Sequence, residues 1–156
     1  MKREEIIKKY KPEKDNLLLI LQEIQDNNEL NYISEKDMEE VSKYLNVCMA
    51  EITGVVGYYS MFSTKPRGKN LIRICCSPVC CMVGGEKIER IFKNELGIGI
   101  GETDKNNEFT IEETECLGQC GNGPVIMVND KVYTELSAEK IKEIINKHRH
   151  NANGKK

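Results

Sequence analysis

Six of the seven cysteines in this 156-residue chain fall in two short segments, Leu71 to Gly85 (LIRICCSPVCCMVGG) and Glu115 to Pro124 (ECLGQCGNGP). Within each segment the cysteines come after an apolar or alternating run, and glycines follow them. The rest of the chain reads as the scaffold that brings these two segments together.

Within the second segment Cys116 and Cys120 form C-x3-C. The first is ambiguous, because Cys75/Cys80 and Cys76/Cys81 are two interleaved C-x4-C pairs and spacing does not choose between them. Four soft thiolates from two separated loops suit an iron-sulfur cluster or zinc. Zinc ribbons mostly use tighter C-x2-C knuckles, and a thiol-disulfide oxidoreductase is expected to carry C-x-x-C, which this sequence lacks. A 2Fe-2S cluster bound by four cysteines is therefore expected, with structural zinc as the non-redox alternative. Gly84, Gly85, Gly118, Gly121 and Gly123 favour the cluster, since they let backbone N–H groups approach the sulfurs.

Charge and hydropathy narrow the class. The formal net charge is -2, with both signs spread evenly over the two halves, so neither half has the basic excess of a nucleic-acid binder. Leu17 to Leu21 is the longest apolar run, too short to cross a bilayer. The N-terminus is charged and has no apolar signal core. The expected location is the cytoplasm, where cysteines serve as metal ligands or reactive thiols rather than as a disulfide framework.

Residues 1 to 62 read as successive helices. A charged segment around Glu4 to Tyr10 stops near Pro12, and Leu17, Leu18, Leu21 and Ile24 form an apolar stripe at helical spacing. Ser34 and Asp37 make a capping-box-like pair, with Ile33 and Met38 placed as a hydrophobic staple. Val47 to Phe62 ends in the aromatic group Tyr58, Tyr59 and Phe62, and Cys48 within it reads as a small buried hydrophobe. Ser63 to Asn70 reads as a linker, with Lys65, Arg67 and Lys69 in solvent.

Beyond the linker the pattern alternates. A buried strand is expected at Leu71 to Ile74, a helix at Glu86 to Leu96, and a strand at Phe109 to Glu115 whose Glu112, Glu113 and Glu115 read as a solvated edge. Val125 to Val128 and Lys131 to Tyr133 flank the hairpin signal Asn129-Asp130, and Ser137 caps a last helix. His148 and His150 read as part of a polar tail. No glycine-rich phosphate loop follows a strand. The expected fold is a mixed α+β or α/β chain, a helical subdomain over residues 1–66 followed by a small thioredoxin-like sheet domain over 67–150 and a polar tail at 151–156.

YYSMFSTKPRGKNLIRIC and ECLGQCGNGPVIMVNDKVY, with the helices before and after them, resemble the thioredoxin-like 2Fe-2S subunits of NADH dehydrogenases. These are the small flavoprotein-fraction subunit of respiratory complex I and its counterparts in NAD-linked and electron-bifurcating iron hydrogenases and some NAD-dependent formate dehydrogenases. In that family the first ligand directly follows an I-x-[IV] strand, and a glycine lies four residues after the second ligand. Ile72-Arg73-Ile74-Cys75 and Cys80 to Gly84 match. The resemblance thus implies Cys75, Cys80, Cys116 and Cys120 as ligands, each loop serving one iron. It leaves Cys76 and Cys81 as neighbours of the cluster, at positions usually not occupied by cysteine.

It also implies an electron-transfer subunit with no complete active site of its own. The implied partner is a flavin-bearing, NADH-oxidising subunit, on which FMN, NAD and further iron-sulfur clusters are expected, and Tyr58, Tyr59 and Phe62 are an expected part of the interface. A Lys-, Asn- and Ile-rich chain supplied with free thiols leans toward a soluble NAD-dependent iron hydrogenase, electron-bifurcating or not. Respiratory NADH:quinone oxidoreductase and formate dehydrogenase are the alternatives.

Overall fold

The computed structural model describes residues 3–152, and side chains as far as Arg149. The chain divides into two compact units, one ending at Arg67 and the other beginning at Gly68.

Helices α1 (Arg3–Ile7), α2 (Leu17–Asp26), α3 (Glu35–Leu45) and α4 (Met49–Tyr58) build the first unit. Of the expected stripe Leu17, Leu21 and Ile24 are buried while Leu18 is half-buried, Ile20 taking the inward position beside them, and Ile6, Ile33, Val41 and Ile52 close the same core. The start of α3 is pinned from both directions. Ser34 Oγ accepts from the Asp37 N–H at 3.2 Å, and Asp37 Oδ2 accepts from the Ser34 N–H at 2.8 Å. Ile33 and Met38, the expected staple, are both buried. The wholly buried Asp37 carboxylate is also paired with the Arg3 guanidinium. Asn46, in the left-handed region with φ 52°, ends α3.

Three expectations in this region are corrected. Cys48 is exposed, because it sits outside the helix as the N-cap of α4 while Val47 and Ile52 on either side take the inward positions. Phe62 belongs to the core at 7% exposure, so of the aromatic group only Tyr58 (82%) and Tyr59 (38%) face solvent. Arg67 is buried instead of solvated, and its Nε–H donates to the Asn31 carbonyl at 2.7 Å.

The second unit is a four-stranded sheet in the order β2-β1-β3-β4, from β1 (Asn70–Cys75), β2 (Phe109–Thr114), β3 (Ile126–Val128) and β4 (Lys131–Tyr133). β1 and β2 run parallel, joined through α5 (Pro78–Met82) and α6 (Gly85–Leu96), whereas β3 and β4 are antiparallel additions. Ile72 is opposite Ile111 and Val128, and Ile74 is opposite Ile126. This set forms one sheet face, buried with Ile88 and Phe92 of α6 and Ile141, Ile144 and Ile145 of α7 (Ala138–Ala152).

The alternate positions Arg73 and Glu112 lie on the other face and pair at 3.4 Å. Asn129 turns the expected hairpin at φ 53°, and Ser137 Oγ accepts the Lys140 N–H at 3.2 Å at the start of α7. Gly68, just before β1, packs tightly against β2: a Cβ there would lie 2.5 Å from the Phe109 carbonyl carbon.

α7 continues through the expected tail to Ala152, and His148 is half-buried, 3.1 Å from the Tyr133 hydroxyl. The tail reading fails for His148 because the apolar stripe of α7 carries the helix onward past it. The side chain of His150 and residues 153–156 lie outside the described residues.

Candidate metal centre

β1 and β2 are parallel neighbours, so the loops leaving their C-terminal ends emerge at the same edge of the sheet. That topology brings the two cysteine segments together. Cys75 is the last residue of β1, and its N–H donates to the Val125 carbonyl at 3.1 Å. The chain then turns at Ser77 into α5, with Pro78 in its first turn, where an N–H is dispensable. One turn later the helix points Cys80 inward. Cys75 and Cys80 are 2% and 1% exposed and pack with Val125 and Leu117.

Two glycines follow, for two reasons. Gly84 adopts φ 111°, and at Gly85 a Cβ would lie 3.0 Å from the Cys80 carbonyl oxygen. The Ser77-Pro78 pair is the sequence signal that announces α5, an element absent from the expectations above.

The second loop leaves β2 at Thr114. Cys116 and Cys120 bring their sulfurs to 3.4 Å, both exposed, and the Gly118 N–H donates to the Cys116 sulfur at 3.4 Å. Gly118 permits this with φ 75°. Of the glycines expected to serve the sulfurs, this is the one whose own N–H makes that contact in the hydrogen bonds described.

The thiols respond to these surroundings. Burial would push Cys75 up, but the Ser77 hydroxyl and the backbone N–H groups of Ser77 and Leu117 more than offset it and hold the thiol below its ordinary value. Burial and then the neighbouring Cys75 push Cys80 up. Cys120 is pushed up by its hydrogen bond to Cys116 and by that sulfur's charge, with smaller contributions from Cys80 and Cys75. The two loops therefore share one electrostatic environment.

Cys76 and Cys81 point elsewhere. Both are exposed; the Cys76 thiol donates to the Thr114 carbonyl at 3.2 Å and the Cys81 thiol to the Cys76 carbonyl at 3.4 Å. Burial, followed by the Glu115 and Glu113 carboxylates, raises Cys76.

A mononuclear zinc site needs three or four ligands converging on one point. Two pairs of cysteines on two loops, Cys75 with Cys80 and Cys116 with Cys120, match a centre of two metal ions, each taking two thiolates, and the soft, all-sulfur donor set fits iron and sulfide.

A small mixed sheet whose adjacent parallel strands end in paired-sulfur loops defines a thioredoxin-like iron-sulfur protein. The chain belongs to the thioredoxin-like [2Fe-2S] ferredoxin family, whose profile matches residues 3–149; the cofactor of that family is a 2Fe-2S cluster. A subunit of the NADH-quinone oxidoreductase of Rickettsia bellii is 37% identical over 145 residues, which cover 92% of this chain and 87% of that protein. Its counterpart in the NADH-quinone oxidoreductase of Aquifex aeolicus is 34% identical over 147 residues, 94% of this chain and 91% of that one. In fold, the chain resembles part of an NAD+-reducing [NiFe]-hydrogenase in the air-oxidized state, with a TM-score of 0.76 at 18% identity. That match covers 87% of this chain but spans only 23% of the hydrogenase chain.

Proposed function

We propose that this protein is the 2Fe-2S electron-transfer subunit of a multisubunit NAD(H)-linked oxidoreductase, with Cys75, Cys80, Cys116 and Cys120 as the cluster ligands. The observation that carries the reading is the arrangement of the sulfurs: Cys75 with Cys80 and Cys116 with Cys120, at the ends of two adjacent parallel strands. The thiols of Cys76 and Cys81 bond to backbone carbonyls instead, which supports leaving them out of the ligand set.

When bound, the cluster stores and passes one electron at a time. The chain's own residues set the conditions for this. Cys75 and Cys80, packed with Val125 and Leu117, keep water from one side, while the exposed Cys116 and Cys120 leave the other side open to close approach by a partner. Such a chain needs another subunit to supply substrate chemistry, and the reading assigns that role to a flavin-bearing, NADH-oxidising subunit. In this reading residues 67–150 are the cluster domain and residues 1–66 a helical subdomain that presents Tyr58 and Tyr59 to a partner.

The curated relatives favour NADH-quinone oxidoreductase as the parent complex. A soluble NAD-dependent hydrogenase is the second reading, favoured by the cysteine-rich composition. Seven cysteines in thiol form suit the cytoplasm, and among the described residues no helix is long and apolar enough to cross a membrane.

The test is anaerobic purification with absorption and EPR spectra and iron and sulfide analysis. About two iron and two sulfide per chain are expected, a stoichiometry set by the cluster type. Cys75→Ser and Cys80→Ser should lose or strongly perturb the spectrum, while Cys76→Ser and Cys81→Ser should not. The opposite pattern would place the ligands one residue further on, and a colourless zinc protein would end the cluster reading. Co-purification of a quinone reductase or of a hydrogenase from the native source separates the two complexes.

A further inference from the structure

Ser77 occupies the N-cap of α5, a position where a serine side chain ordinarily accepts a backbone N–H from the first helical turn. Here it makes no such cap bond. Its hydroxyl instead lies 3.3 Å from the Cys75 sulfur. While Cys75 is a thiol, its sulfur supplies the proton and the Ser77 hydroxyl accepts it. Once the sulfur is deprotonated as a metal ligand, only the hydroxyl can, so the contact becomes an O–H donor aimed at a thiolate. The other donors are backbone N–H groups, from Ser77 and Leu117 to Cys75, from Val125 to Cys80 and from Gly118 to Cys116; among the side chains described around the paired sulfurs, Ser77 supplies the hydroxyl, which also reaches Cys80.

We propose that Ser77 is a positioning residue that sets the reduction potential of the centre by donating a hydrogen bond from its hydroxyl to the Cys75 sulfur. The inference rests on the ligand assignment above. Adding an electron to the cluster increases the negative charge on its sulfurs, and a donor fixed on one of them stabilises the electron-rich state more than the oxidised one. The hydroxyl therefore raises the potential, and its removal lowers it. A serine that only starts α5 would leave the potential where it is.

The experiment is an EPR-monitored redox titration of the full chain, purified anaerobically, as wild type, Ser77→Ala, Ser77→Gly and Ser77→Thr. Ser77→Ala and Ser77→Gly should show an approximately tenfold lower ratio of reduced to oxidised cluster at a fixed solution potential, about 59 mV for a one-electron couple. Ser77→Thr, which keeps the hydroxyl, should stay within about twofold of wild type. An unshifted Ser77→Ala overturns the proposal. So does a Ser77→Thr that falls with the alanine variant, since the hydroxyl would then not be the cause. If Ser77→Ala and Ser77→Gly carry no cluster while Ser77→Thr does, the hydroxyl acts in retention and the tuning role is wrong. A wild-type protein without iron or sulfide would instead refute the functional reading beneath it.

Discussion

Gly84 and Gly85 separate two kinds of damage at the first cysteine loop, because they are adjacent and yet constrained differently. At Gly84 a Cβ would meet nothing within 4 Å, but the backbone stands at φ 111°. An L-residue in the left-handed region costs about 1–2 kcal/mol, a strain that stays within the junction between α5 and α6. Gly85 has no such backbone problem. Its Cβ would lie 3.0 Å from the Cys80 oxygen and 3.2 Å from the Cys80 carbonyl carbon, so relief requires the Cys80 backbone itself to move by a few tenths of an ångström.

Ser77→Ala leaves both junction glycines in place, so these effects are independent of the tuning argument. Gly84→Ala should lower the temperature at which the cluster bleaches, at a fixed scan rate, by roughly 4–16 °C, the shift expected of about 1–2 kcal/mol in a unit of this size. Its EPR spectrum should match wild type. Gly85→Ala should change the EPR g-values, because a proposed ligand is displaced. A Gly85→Ala protein with a wild-type spectrum, or a Gly84→Ala protein bleaching at the wild-type temperature, refutes the geometric reasoning.

Phe92 is fully buried between the sheet and α7, and Phe92→Ala should cost about 3–5 kcal/mol, read as earlier guanidinium unfolding of the second unit; a loss under about 1 kcal/mol would contradict this packing. Cys48, Cys76 and Cys81 are exposed, so a maleimide should modify these three thiols in cluster-loaded protein, and mass spectrometry should find the other four protected until the cluster is stripped by chelator. Burial, followed by the charges of Lys147 and Lys131, holds His148 below its ordinary 6.5. The folded state thus binds fewer protons than the unfolded one in the window just below 6.5. Stability from neutral His148 is complete above 6.5 and is lost as pH falls through that window. An NMR titration of the imidazole should give a midpoint below 6.5, and a midpoint at or above it would rule out the buried environment.

Much of this architecture is legible from local rules. The Ser34/Asp37 box, the stripe on α2, the Asn129 turn and the Ser137 cap each depend on residues within a few positions of one another, and each is where the sequence places it. The misses share a different cause. Whether Phe62, Arg67 or His148 is buried depends on partners tens of residues away, and Val47 and Cys48, adjacent just ahead of α4, differ in that the first turns inward and the second, at the N-cap, outward. The contact of the Ser77 hydroxyl with Cys75 was not legible because it depends on α5, a helix of five residues too short to show a periodicity of its own.

The difference in burial between Cys75/Cys80 and Cys76/Cys81, on which the proposed register rests, comes from two periodicities acting together. Successive strand residues point to opposite faces, so with Ile72 and Ile74 toward the helices, Cys75 takes the same parity as Arg73 and Cys76 falls beyond the strand end. Successive helical residues are about 100° apart, so α5 can bury Cys80 or Cys81 but not both. The strand chooses one cysteine of its pair and the helix one of its own, and Ser77-Pro78 fixes the phase between them. Inserting one residue between Cys76 and Ser77 would leave β1 intact while separating the phases. Such a protein should keep its β1–β2 pairing and lose the cluster, and an insertion variant with full iron and sulfide content would show that α5 can slide to restore the pair.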